Sequence, residues 1–284
     1  MQQDRSSKTA AGAALMRAAH QVLDDAPLIL DDPVSIGLVE GSGREELLAR
    51  AEEFRSAVLK ATRSWSVMRS RFAEDCFQDA FANGVRQYVM LGAGFDTFAY
   101  RQPEWAKGFR IFEVDHPATQ AVKRERLDAR AIPTPPNLIF VPCDFEQEAL
   151  PEVLSAASLD TGARAFFSWL GVTAYLSVEA IEATLGFVAA HPGGSSIAFT
   201  FNLPESLLGG SARQHRNMSA KWAETLGERQ LTMLAPREWM EILKRAGFSS
   251  VFHLTPELAQ ARYFAGRHDG LAAVEHSQMM LATV

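Results

Sequence analysis

Tyr88-Val-Met-Leu-Gly-Ala-Gly-Phe-Asp-Thr97 is the stretch that decides the fold. Its first half is an apolar strand. Its second half is a turn with glycines at Gly92 and Gly94, followed by Asp96 and Thr97 where a helix can start. Glycines let a backbone pass close to a ligand, and N–H groups at a helix start favour negative charge. About 20 residues on, Phe109-Arg-Ile-Phe-Glu-Val-Asp115 reads as a second buried strand ending in Glu113 and Asp115. That is where doubly wound folds place the acid that holds a ribose hydroxyl.

The ligand this turn suits follows from what it lacks. A dinucleotide site needs a third glycine, and that position is Thr97 here. No Gly-Lys-Ser/Thr phosphate loop is present either. A G-x-G turn with a ribose acid and no phosphate cradle suits S-adenosyl-L-methionine, which has a ribose and an adenine but no phosphate. A nicotinamide-dependent oxidoreductase and a non-catalytic S-adenosylmethionine-binding protein are the alternatives.

Outward from this turn the chain divides in two. Residues 1–84 carry helical patterning at Ala11–Leu23 and over Arg44–Phe81, broken at Asp31-Asp-Pro33 and Gly41-Ser-Gly43. They are expected to form an N-terminal helical extension packed on the core. From residue 85 strands and helices alternate, which predicts a parallel sheet. Predicted strands are Gln87–Leu91, Arg110–Val114, Leu138–Pro142, Ala165–Trp169 and Ser196–Asn202, then Val251–Leu254 and a last one at Arg262–Ala265. Predicted helices are Pro117–Ala131, Pro151–Ala157, Val178–Ala190 and Pro236–Ala246. The expected architecture is α/β: a Rossmann-like, seven-stranded doubly wound sheet spanning 85–284. Residues 203–235 break the alternation after the fifth strand, so they are expected to form a helical lid insertion on the acceptor side.

Composition narrows the function. A net charge of −6 argues against a nucleic-acid binder. Two cysteines, Cys76 and Cys143, do not make a disulfide framework, which points to a reducing compartment. No stretch approaches a membrane span and the start lacks a signal-like apolar run, so a cytoplasmic protein acting without a membrane is expected. Seven histidines lie scattered without metal-ligand spacing, and no metal is expected.

Longer motifs carry a family resemblance. Leu91-Gly-Ala-Gly-Phe-Asp-Thr-Phe-Ala-Tyr-Arg101 followed by Phe112-Glu-Val-Asp-His-Pro117 resembles the leucine carboxyl methyltransferase family, including its bacterial polyketide-type O-methyltransferases. Met68-Arg-Ser-Arg-Phe-Ala-Glu-Asp75, Val141-Pro-Cys-Asp-Phe145, Ser168-Trp-Leu-Gly-Val-Thr-Ala-Tyr-Leu176 and Arg262-Tyr-Phe-Ala-Gly-Arg-His-Asp-Gly270 also fit. The resemblance implies a class I S-adenosylmethionine-dependent methyltransferase, of the kind used in secondary metabolism. By it, Arg69, with Arg71 second, holds the cofactor carboxylate, a pairing suited to a planar guanidinium. Gly92, Ala93, Gly94 and Asp96 line the cofactor turn. Asp115, with Glu113 as its rival, takes the ribose, and Asp144 and Phe145 take the adenine. Many relatives carry a Glu after the fourth strand, where this chain has Trp169-Leu170-Gly171, so that role is not transferred to Leu170.

The expected reaction is O-methylation of a carboxylate or hydroxyl on a small, partly apolar metabolite. A carboxylate acceptor needs no base; a hydroxyl is helped by one. His215, the histidine of the insertion, is the expected base, and Tyr175 is expected to orient the acceptor. Trp169, Tyr175, Met218 and Trp222 are the expected acceptor wall. The protein is expected to act as a monomer or homodimer, without nucleic acid.

Overall fold

The computed structural model describes residues 7–106, 108–145 and 147–284. Residues 1–6 of the expected N-terminal extension lie outside the described residues. The chain opens with α1 (Lys8–Leu23), started by Ser7, whose hydroxyl accepts from the Ala10 N–H at 3.1 Å. Short α2 (Arg44–Ala49) and α3 (Ala51–Phe54) lead into α4 (Ala57–Ala82), 26 residues long. It stops at Asn83-Gly84, where Gly84 takes φ +93°, a conformation only glycine adopts cheaply.

The alternating half follows: β1 (Gln87–Leu91), β2 (Arg110–Asp115), α5 (Pro117–Asp128), β3 (Leu138–Pro142), α6 (Leu150–Ala156), β4 (Phe166–Trp169), α7 (Val178–Ala189) and β5 (Ser196–Asn202). Then come α8 (Gly210–Thr225), α9 (Pro236–Ala246), β6 (Ser250–Leu254), α10 (Pro256–Ala259) and β7 (Ser277–Thr283). The sheet order is β3-β2-β1-β4-β5-β7-β6, with β7 antiparallel to both neighbours. This is the seven-stranded doubly wound sheet expected, with one correction. Arg262–Ala265 is not the last strand: Gln260–Phe264 forms a π-helical turn continuing from α10. The seventh strand is Ser277-Gln-Met-Met-Leu-Ala-Thr283 instead.

The N-terminal helices cover one face of the sheet. Phe77 of α4 is fully buried and stacks on Tyr88 of β1 at 4.5 Å, with Phe109 and Phe166 within 6 Å. Fully burying such a side chain stabilises the fold by roughly 1.5–3 kcal/mol. α7 and α9 close the other face, where Ile181, Leu185, Trp239 and Leu243 share a buried cluster with Phe167, Phe199 and Trp169. The strand order reverses between β1 and β4, and in open sheets the ligand crevice lies beyond the strand ends at that reversal.

Candidate active site

A cavity of about 820 Å³ opens at that point. Its floor comes from the carboxyl ends of five strands: Gly92–Asp96 after β1, Asp115 at the end of β2, Cys143–Phe145 after β3, Leu170–Leu176 after β4, and Phe201 and Asn202 of β5. Its walls are α1 and α4 on one side and α8 with the segment behind it on the other.

The glycine turn is fixed by both its neighbours and its backbone. Gly92 takes φ +71°, and a Cβ there would meet Val172 at 2.4 Å. Gly94 takes φ +53°, and its N–H donates to Asp115 Oδ2. Asp115 also accepts from the His116 N–H at 2.7 Å. Burial raises the Asp115 pKa above its ordinary value, while these two N–H bonds act to hold it down. Its carboxylate keeps acceptor capacity beyond those two bonds.

Behind the turn lies a buried ionic network. Arg17 of α1 donates to Asp32 at 2.9 Å and to the Phe95 carbonyl at 2.5 Å. Thr97 donates to Asp32 at 2.6 Å and accepts from Arg101 at 3.0 Å, and Arg101 pairs with Glu74. The Asp-Thr and Tyr-Arg portions of the long glycine motif thus include residues that lock the turn to the helical layer.

Arg69 of α4 lines the cavity, forms no ion pair among the described residues, and leaves its Nε buried without a partner. Desolvation, then the nearby Arg17, pushes its pKa down to about 10, against the pull of Tyr175 and Asp96. A buried guanidinium in this condition favours an anion. Gly171 makes room for it: φ is +75°, and a Cβ there would come within 2.5 Å of Arg69 Nη1.

Of the sequence-predicted cofactor residues, Arg69, Gly92, Ala93, Gly94, Asp96, Asp115, Asp144 and Phe145 all line this cavity. Asp96 also accepts from the Phe98 N–H at 2.8 Å, and Asp144 accepts from Gln147 at 2.7 Å. Two assignments are corrected. Arg71 lies two residues from Arg69, about 200° around the helix, so both cannot face one cavity. It lines a separate outer groove and pairs with Asp75 at 2.7 Å. Glu113 sits two positions back from the end of β2, roughly 6–7 Å short of the crevice. It is 1% exposed and paired with Lys123 of α5 at 2.6 Å. Burial raises its pKa to about 7, against the opposing pull of Lys123.

Of the residues expected to meet the acceptor, Tyr175, His215, Met218 and Trp222 line the cavity. Trp169 does not: it is fully buried in the core cluster, while its neighbour Ser168 faces the cavity, as strand alternation requires. Burial and then Glu228 raise the Tyr175 pKa, so its hydroxyl stays protonated. Met218 and Trp222 are 50% and 48% exposed, and a Cβ on Gly12 would meet the Trp222 ring at 2.8 Å. The lid therefore rests on α1. Sequence reasoning missed Gly171, Glu228, Gln230 and His276. Gly171 alone carried a signal, a glycine directly behind a predicted strand.

Among the described residues no group of His, Cys, Asp or Glu is placed to hold a metal ion, and no helix is long and apolar enough to cross a membrane.

Comparisons with known proteins identify the family and the fold. Residues 10–189 match the family model for leucine carboxyl methyltransferase. YktD of Bacillus subtilis (strain 168), assigned as an S-adenosyl-L-methionine-dependent methyltransferase, is 30% identical over 97% of each chain. A protein of Mycobacterium sp. (strain JLS) with the same assignment is 30% identical over 78% of this chain and 75% of its own. In fold, a Thermobifida fusca structure assigned as a methyltransferase superposes with a TM-score of 0.58 at 18% identity, covering 95% of this chain and 93% of that one. A DUF574 family protein from Streptomyces avermitilis gives 0.55 at 15% identity, covering 94% and 96%. The chain belongs to the leucine carboxyl methyltransferase family, and its cofactor is S-adenosylmethionine.

Proposed function

We propose that this protein transfers a methyl group from S-adenosylmethionine to an oxygen, carboxylate or hydroxyl, of a small and partly apolar metabolite. The observation that carries the reading is Arg69, a guanidinium with no ion pair among the described residues, opening on the same cavity as the Gly92–Gly94 turn and Asp115. A cofactor with one carboxylate, one ribose and no phosphate matches that set of groups. Arg69 would hold its carboxylate, Asp115 its ribose hydroxyls, and Asp144 with Phe145 its adenine. Asp96 would line the turn between them. The helical layer 1–84, the domain 85–284 and the insertion 203–235 are read as the three parts that enclose the cofactor and its acceptor.

When bound, the cofactor supplies a methyl group already made electrophilic by a positive sulfur. What remains for the protein is alignment and exclusion of water. Trp222 and Met218 supply an apolar wall, and Trp222 lies against α1 over Gly12. Tyr175, kept protonated, can donate its hydroxyl to the acceptor. His215 is a base available to a hydroxyl acceptor.

The test is methyl transfer from labelled S-adenosylmethionine to a panel of carboxylic acids, phenols and alcohols, read by mass spectrometry, with wild type and Asp115→Asn. Transfer to at least one oxygen acceptor, reduced on the order of tenfold or more in the variant at fixed subsaturating cofactor, is expected from the loss of a charge-assisted hydrogen bond. Transfer confined to nitrogen or sulfur acceptors would contradict it.

A further inference from the structure

One part of the cavity wall is chemically distinct. His276, in the loop before β7, and His215 of α8 both line the cavity, with ring centroids 6.4 Å apart. Neither ring is hydrogen-bonded to another described residue, whereas the polar groups around them are engaged. Ser277 donates to Asn202 at 2.7 Å, and Asn202 donates to Gln230 at 3.3 Å. The loop carrying His276 is fixed by its carbonyl, which accepts from the Leu203 N–H at 2.9 Å where the insertion begins.

The charge around this pair is also defined. No Lys or Arg of α8 lines the cavity among the described residues. Arg216, next to His215, is held by Asn217, Met233 and Glu205. Burial, then His215 and Arg216, pushes the His276 pKa down to about 4. The His276 ring is therefore neutral near neutral pH and offers a ring nitrogen without a partner among the described residues. A carboxylate acceptor brings no proton for this pair to accept, and its charge would be met instead by the arginines that line the cavity, Arg229 of the lid among them. A hydroxyl brings the proton that the free ring nitrogen accepts. Phe201, Met218 and Trp222, which line the same cavity, favour an aromatic or apolar body on the acceptor.

We propose that His215 and His276 act together as the proton-accepting site for a hydroxyl acceptor, so that the enzyme methylates phenol-type hydroxyls and not carboxylates. This rests on the methyltransferase reading above. In the step, the acceptor O–H bond breaks and its electron pair forms the new O–C bond to the methyl group. The S–C bond breaks with its pair returning to sulfur. The proton passes to a free imidazole nitrogen of the pair and from there to water.

The experiment compares matched phenols and benzoic acids as acceptors for wild type, His276→Gln and His215→Gln, with calorimetric binding of S-adenosylhomocysteine for each protein. Phenols are expected to be methylated and benzoic acids not. Each variant should lose on the order of 100-fold in kcat while keeping its affinity for the cofactor product. The acid limb of the wild-type rate profile should change in both variants. Independently of turnover, imidazole NMR should show the His276 ring neutral at pH 6. Preferred methylation of benzoic acids, unchanged kcat in both variants, or a His276 ring protonated at pH 6 would overturn the proposal. Cofactor binding without transfer to any phenol would overturn the hydroxyl assignment and leave the cofactor reading standing. Failure of wild type to bind the cofactor would remove both.

Discussion

At the scale of single residues, several charged groups around the glycine turn are held in buried ion pairs, whereas Arg69 has none among the described residues. Asp32 is fully buried, and burial works to raise its pKa, but Arg17, Arg101 and Thr97 outweigh that and hold it below the ordinary value. Asp24 is held low in the same way by His20 and Arg63 against its own desolvation. Folded-state pKa values below the unfolded 3.8 stabilise the fold above that pH, and the contribution disappears as pH falls through the folded values. The urea midpoint is therefore expected to drop steeply below about pH 4, and to drop less steeply in Asp24→Asn. An equal acid slope in wild type and variant would remove Asp24 from this role. Thr97 shows what the sequence displays at this scale and what it hides. Its place in the glycine pattern is plain and weakens a dinucleotide site, but its bonds reach Asp32, 65 residues away, and no local pattern encodes such a partner. Arg69 and Arg71 look equivalent on paper until the helical turn between them is counted.

At the scale of elements, the insertion behind β5, proposed as a lid, is tied down at both ends. Leu203 bonds to the loop before β7, and Leu231 and Thr232 donate to the Ala174 carbonyl at 2.6 and 3.1 Å. Glu228, just past α8, accepts from Ser7 at 3.2 Å, from the Lys8 N–H at 3.1 Å, and from Thr9. Glu228→Ala removes the acceptor of all three donors and leaves α8 held to α1 mainly through Trp222. The variant is expected to be cut faster than wild type between Gly209 and Gly227 in limited proteolysis, with the sheet core left intact. Equal cutting rates would show that Glu228 does not hold the lid. The position of this element was legible, because an amphipathic stretch interrupted the alternation. Its anchors were not, since they pair residues far apart in the chain, those of Glu228 about 220 positions apart. The seventh strand was misplaced for a related reason. Arg262-Tyr-Phe-Ala265 has a strand's composition but continues the helical turn begun at Pro256, whereas Met279-Met-Leu281 becomes a strand by filling the gap between β5 and β6.

At the scale of the whole molecule, the helical layer, the strand ends and the lid meet around one cavity, and each contributes a group the others lack. The helical layer brings Arg69, the sheet brings Asp115 and the glycine turn, and the lid brings Trp222 and His215. The doubly wound order and the acid after β2 follow from patterns that repeat locally, so they could be read from the chain. The choice between Glu113 and Asp115, and the pairing of His215 with His276, depend on depth along a strand and on packing between distant segments. The central claim is that this cavity holds S-adenosylmethionine, with Arg69 gripping its carboxylate. Calorimetric titration of wild type and Arg69→Met with S-adenosylmethionine, with NAD as control, measures it most directly. Binding of S-adenosylmethionine and not NAD, weakened about ten- to hundredfold in the variant by loss of a charged hydrogen-bonding partner, is the expected result. Equal affinity in the two proteins, or binding of NAD in place of S-adenosylmethionine, would contradict it.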